Sequence, residues 1–159
     1  MTETRWLDDS EQQAWRKLAG VMFKLSPALD SQLQRDSELT HFDYMCLAML
    51  SEADDRTLRM SGLAALVNSS LSRLSHVIKK LEQRGWVDRF PCADSRRVTM
   101  VRLTDRGFAV LADAAPAHVG TVRQLVFDGL SAQQVRQLEA IAGCIVERIE
   151  AAGLRTVSD

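Results

Sequence analysis

The chain has little cysteine, almost no net charge and no long apolar run, and each shortage excludes a class of protein. Its three cysteines, Cys46, Cys92 and Cys144, stand far apart in 159 residues, and no CxxC occurs. An odd, dispersed set supports neither a disulfide scaffold nor a zinc cluster, so no metal is expected. The N-terminal stretch MTETRWLDDSEQQAW is charged where a signal peptide would be apolar, and no run approaches membrane-spanning length. A soluble, cytoplasmic chain of one domain's size is therefore expected. There is no nucleophile–base pair, no phosphate-cradling glycine loop and no recognisable pair of catalytic carboxylates. An enzyme is accordingly not expected, and no cofactor is implied.

The net charge of −1 is unevenly spread. Between Ser61 and Leu103 the cations Arg73, Lys79, Lys80, Arg84, Arg89, Arg96, Arg97 and Arg102 face only Glu82, Asp88 and Asp94. Eight against three leaves this stretch at +5 and the remainder at −6. A basic island in an acidic chain suits a localised nucleic-acid footprint.

Inside the island, Ser70 to Thr104 carries the strongest pattern. Leu74, Val77, Ile78 and Leu81 recur at i, i+3, i+4 and i+7, one apolar stripe of a helix. Ser72, Ser75, His76, Lys79 and Lys80 fall on the other side, with Arg73 at the margin. Ser70 is a suitable N-cap and Gly85 a suitable left-handed stop. Ser61 can cap a shorter helix through Leu63, Leu66 and Val67, and Asn68-Ser69 is the polar break between the two. After Gly85, residues 86–90 and 98–103 have strand composition, with Pro91 to Arg97 as the loop. Two helices across a tight turn followed by a β-hairpin form a winged helix-turn-helix, whose second helix enters the major groove.

Either side of this unit the sequence predicts more helix. Residues 8–36 place Trp15, Leu18, Met22, Leu29 and Leu33 at helical spacing, with Pro27 either kinking the helix or starting a second piece. Thr40 and Asp43 have capping-box spacing, Leu39 and Tyr44 a staple's, and Phe42, Met45, Met49 and Leu50 are the expected buried side of the next helix. Residues 57–60 are long enough for one short strand beside the wing. Thr104 opens a helix with Phe108, Leu111, Ala112, Ala115, Val119, Val122 and Val126 on its apolar face. Ser131 and Gln134 box the start of a last helix bearing Val135, Leu138, Ile141, Ala142, Ile145 and Ile149. The expected fold is mainly α with a small β wing (α+β). Residues 39–103 are the winged unit, with a recognition helix at 70–84 and a wing at 86–103. Residues 8–38 and 104–152 are dimerisation helices that pack together and against a second copy, all in one intertwined unit.

Arg73-Leu74-Ser75-His76, the exit Leu81-Glu82-Gln83-Arg84-Gly85-Trp86-Val87, and the wing's end from Arg96-Arg97-Val98 to Leu103-Thr104-Asp105-Arg106-Gly107 together resemble the MarR (multiple antibiotic resistance regulator) family. The resemblance runs from Trp15 to about Ile149. It implies a dimeric transcription regulator, cytoplasmic, most simply a repressor on a pseudo-palindromic operator of double-stranded DNA. It also implies relief by a small aromatic or anionic effector bound between the winged unit and the dimer layer, with Trp15, Met22, His41, Phe42 and Met45 as pocket residues. Each of these five is equally explained as core.

Ser72, Arg73, Ser75 and His76 are expected to face bases, while Ser70, Lys79 and Lys80 hold phosphates. Arg73 has the planar fork that matches guanine; its competing role is a phosphate contact or an ion pair with Glu82 or Asp88. Arg96 and Arg97 are the minor-groove candidates, and spacing alone does not choose between them. His41 and His118 are expected at a helix surface or pocket edge, and Trp6, Trp15 and Trp86 in core or interface. Two alternatives stay open: a thiol-based redox-sensing regulator of the same fold acting through Cys46, and a winged-helix interaction module that does not bind DNA.

Overall fold

The computed structural model describes residues 4–93 and 95–153. Helix α1 (Asp9–Ser37) is opened by Asp8, whose carboxylate accepts the Glu11 N–H while Glu11 accepts the Asp8 N–H, and it ends on Glu38 in the left-handed region. It passes through Pro27 as one helix rather than two. An interior proline costs about 3 kcal/mol, and burial of Leu29 and Leu33 just beyond it offsets the loss.

Helix α2 (His41–Glu52) starts at the expected capping box, with Thr40 Oγ1 accepting Asp43 N–H at 3.0 Å and Asp43 accepting Thr40 N–H at 3.1 Å. Its buried side differs from expectation. Asp43, Tyr44, Cys46, Leu47 and Leu50 are buried, whereas Phe42, Met45 and Met49 are half-buried. Strand β1 (Thr57–Arg59) leads directly into α3 (Met60–Leu66), so Ser61 lies inside that helix and caps nothing. Asn68, at φ +47°, turns the chain into α4 (Leu71–Gln83).

Strands β2 (Val87–Cys92) and β3 (Ser95–Leu103) form the wing, and β1 completes an antiparallel sheet in the order β1-β3-β2. The wing's turn is tighter than expected, since Ser95 to Arg97 belong to β3 and a register shift follows Pro91. At the other end of the wing, Thr104 Oγ1 donates to the Gly85 carbonyl and accepts the Gly107 N–H, and Thr104 N–H donates to Trp86 O. That junction brings α5 (Asp105–Val122) so close that a Cβ on Gly107 would lie 2.1 Å from Trp86 O.

Helix α5 continues through Pro116 and runs on into a π turn at Arg123–Phe127. It buries Gly107, Leu111, Ala114 and His118. The face expected for it was therefore rotated: Ala112 and Val119 are exposed, and the buried polar His118 takes the place of an aliphatic contact. One core joins the C-terminal half of α1, helices α2 to α4, the sheet and the start of α5, around Leu33, Leu47, Leu63, Ile78, Trp86 and Val101.

Helix α6 and the N-terminal half of α1 stand apart from it. Helix α6 (Ala132–Ala151), opened by the expected box of Ser131 and Gln134, buries no residue. Ile141 and Val146 are more than half exposed, as are Trp15, Val21, Met22 and Phe23 on α1 and Trp6 before it. Within one chain the C-terminal half of α1 packs against α5, while α6 and the N-terminal half of α1 remain uncovered. They present two apolar stripes to solvent, and of the three tryptophans only Trp86 is in the core.

Candidate nucleic-acid interface

Helix α4 is built to be held from behind and open in front. Leu74, Ile78 and Leu81 are fully buried, with Val77 partly buried beside them. At about 1.5–3 kcal/mol per buried aliphatic side chain, this stripe fixes the helix on the core. Ser70 caps it by accepting Arg73 N–H at 3.2 Å. Gly85, at φ +73°, closes it: Gly85 N–H reaches Glu82 O at 2.8 Å and Trp86 N–H reaches Leu81 O at 3.0 Å, the paired bonds of a Schellman ending.

With about 100° between successive residues, the direction opposite the buried stripe is occupied by Ser72, His76, Lys79 and Gln83. All four are exposed. Gln83 is the member that sequence reasoning left out, although its spacing of four from Lys79 continues the row. Ser75 is half-buried on the flank beside the wing.

Each flank of α4 carries a clamp. On the wing side Glu82 accepts two hydrogen bonds from Arg89 of β2, at 3.0 Å from Nε and 2.6 Å from Nη2. These bonds to Arg89 hold the Glu82 carboxyl below its ordinary pKa. On the α2 side Lys80 Nζ donates to Asp43 Oδ2 at 2.8 Å, and the Asp43 side chain is only 2% exposed. About two turns earlier, Arg73 places its guanidinium 4.7 Å from the Phe42 ring centroid. Glu82 and Asp88 are occupied by Arg89 and Arg102, so neither is the partner of Arg73.

The island's charge is thus partly consumed inside the fold. Lys79 and Arg97 have no acidic partner among the described residues and are exposed. Arg84 lies over the Trp86 ring at 4.7 Å. Asp94 and the side chain of Arg96 lie outside the described residues.

Between α4 and α2 runs an open groove of about 460 Å³, lined by Asp30, Thr40, Phe42, Asp43, Arg73, His76, Val77 and Lys80. Of the five residues expected to form an effector pocket, only Phe42 lines it. Trp15 and Met22 are exposed on the outer half of α1, and Met45 and His41 are half-buried elsewhere on α2.

His41 belongs to a different cluster. Its ring lies 5.7 Å from that of His118, which is 4.3 Å from Tyr44. His118 Nδ1 is 3.2 Å from Gln32 Oε1, and Gln32 Nε2 donates to Asp36 at 3.0 Å. Burial lowers the pKa of both histidines, with Asp30 opposing the shift at His41 and His41 adding to it at His118. His118 is therefore a buried link between α5 and α1 rather than a surface or pocket-edge residue. Cys46 is fully buried, and burial, with Asp43 nearby, pushes its thiol up to about 12. A thiol so hard to ionise is a poor nucleophile.

No helix among the described residues is long and apolar enough to cross a membrane.

Comparison with known proteins gives the same surface a context. The MarR family model matches residues 39–99, which run from the start of α2 into the wing. The crystal structure of Sco3205, a MarR family transcriptional regulator from Streptomyces coelicolor, in complex with DNA, superposes with a TM-score of 0.88 at 41% identity, covering 92% of both chains. AbsC, a MarR family transcriptional regulator from the same organism, gives 0.87 at 37% identity over 93% of this chain and 99% of its own. The transcriptional repressor MprA of Escherichia coli is 27% identical over 107 residues, 67% of this chain but 60% of the relative, so the match spans less than two thirds of that protein.

Proposed function

The chain belongs to the MarR family, and on that premise we propose that it is a dimeric, sequence-specific DNA-binding transcriptional regulator, acting as a repressor on a pseudo-palindromic operator. The observation that carries this is the exposed row Ser72, His76, Lys79 and Gln83 on a helix buried along its opposite side. A neutral-to-basic row with no carboxylate in it suits phosphates and base edges; Lys79 supplies a point charge and Ser70 stands at the helix's N-terminal end, where phosphate oxygens are favourably met. Arg97, exposed on the wing, is the described candidate for the minor groove.

The dimer is the second part of the proposal. Soluble monomers rarely expose large contiguous apolar patches, and the outer half of α1 and all of α6 do so here. A two-fold dimer that covers these stripes would present two α4 helices about one helical turn of DNA apart, roughly 34 Å. Sco3205, similar over nearly the whole chain, was crystallised with DNA, and MprA is named a repressor. Relief by a small effector is the third part. A ligand entering the α2–α4 groove between its carboxylates and cations would act only by favouring an arrangement of α4 that DNA does not accept.

The reading is tested by selecting duplexes from genomic fragments with the purified protein. Expected is a two-fold symmetric consensus, bound with an affinity that falls steeply between roughly 50 and 200 mM salt. Absence of any salt-dependent DNA binding contradicts the proposal and favours an interaction module of the same fold.

A further inference from the structure

Two of the basic residues on α4 are turned away from the outward row. Arg73 and Lys80 are seven residues apart, hence on one flank of the helix, and they meet consecutive residues of α2. Arg73 lies over Phe42 at 4.7 Å and Lys80 meets Asp43 at 2.8 Å. Asp43 uses the same oxygen, Oδ2, for the Thr40 N–H that opens α2 and for the Lys80 ammonium. One buried carboxylate thereby joins the first turn of α2 to the third turn of α4. A buried carboxylate left without its cation is strongly unfavourable, so the pair resists being opened to release Lys80 to a phosphate.

We infer that Arg73 and Lys80 are positioning residues that fix the rotation and tilt of α4 against α2, and that the DNA sequence is read by Ser72, His76 and Gln83, with Lys79 in the same row meeting a phosphate. This rests on the proposal that the protein binds DNA, and it departs from the expectation that Arg73 reads a base and Lys80 holds a phosphate. Positioning and phosphate contact leave opposite signatures. A phosphate contact contributes equally on every sequence and adds about 0.9 to the slope of log affinity against log salt. A positioning residue adds nothing to that slope but sets how well the outward row meets its cognate bases.

The test compares full-length wild-type protein with Lys79→Met, Lys80→Met, Asp43→Asn and the double variant Asp43→Asn/Lys80→Met. Each is titrated with a duplex that the wild type has selected from random sequence, and with a scrambled duplex of equal length, across roughly 50–200 mM salt. Lys79→Met is expected to lower the slope by about one on both duplexes and to leave the selected-to-scrambled ratio unchanged. Lys80→Met and Asp43→Asn are each expected to keep the wild-type slope while the ratio falls roughly tenfold. The double variant, neutral at both positions, keeps the question answerable if a lone buried charge prevents folding, and it is expected to show the same loss of ratio.

A Lys80→Met protein whose slope falls by about one with its ratio intact, or an Asp43→Asn protein that binds both duplexes more tightly because Lys80 is freed, overturns the inference. A wild-type protein that binds neither duplex overturns the DNA-binding reading and this inference with it. The wild-type titration shows which of the two has failed.

Discussion

His118 Nδ1 lies 3.2 Å from Gln32 Oε1, a single buried contact that ties α5 to α1. The Gln32 amide nitrogen is committed to Asp36, so its oxygen faces the ring and Nδ1 carries the proton. The second ring, His41, begins α2, with its backbone N–H donating to Asp30 of α1 at 2.8 Å.

Stability should therefore fall in mild acid. Burial depresses both histidine pKa values below the ordinary 6.5, so the unfolded chain binds more protons than the folded one near that pH. The full contribution is present above pH 6.5 and is lost as the pH falls through that value towards the folded-state pKa values. Urea unfolding at a series of pH values is expected to show the decline, and His118→Gln is expected to flatten it. An unchanged slope in that variant would place the titration elsewhere.

Gly107 should tolerate no side chain. A Cβ there meets the Trp86 carbonyl at 2.1 Å and Leu103 Cδ1 at 2.8 Å, and the carbonyl is itself held by Thr104 N–H. Gly107→Ala is expected to cost about 1–3 kcal/mol or more, because neither backbone can retreat without opening the junction between wing and α5. Chemical denaturation measures it, with Gly143→Ala on the exposed α6, where a Cβ meets nothing, as the mild comparison.

Charge placed on the bare stripes should separate the copies. Ile141→Glu with Ile145→Glu on α6, or Phe23→Glu on α1, is expected to give monomers by sedimentation equilibrium with unchanged helix content. DNA affinity is expected to fall at least tenfold in the same proteins, since two linked sites become one. Dimers that survive all three substitutions would locate the interface elsewhere.

Cys46 should be inert. With its pKa raised to about 12 and its sulfur buried, it forms almost no thiolate near neutrality. Brief peroxide treatment is expected to leave DNA affinity unchanged, and a thiol reagent to modify the exposed Cys144 long before Cys46. A loss of DNA binding abolished by Cys46→Ser would restore the redox-sensing alternative.

The local chemistry of the fold was legible in the sequence because it rests on short-range rules. The caps at Thr40, Ser70, Thr104 and Ser131, the left-handed Gly85 and the apolar stripe from Leu74 to Leu81 are all where spacing placed them, and the short strand expected at residues 57–60 is found at 57–59. What spacing could not show is which face of a helix meets which neighbour. The buried polar His118 on α5 and the half-buried Phe42 on α2 have no periodic signature, and periodicity therefore rotated both helices slightly. Likewise a lysine on an exposed-looking flank reads as a free cation until Asp43, thirty-seven residues earlier, is brought beside it. The apolar stripes of α1 and α6 were legible, but a single chain gives them nothing to cover.

The most direct measurement is the mass of the complex formed with a selected duplex, by analytical ultracentrifugation, together with hydroxyl-radical footprinting of the same complex. Two chains on one duplex, protecting two segments about one helical turn apart, is the result expected if paired α4 helices enter successive major grooves. One chain per duplex, or a single protected segment without two-fold symmetry, would contradict it.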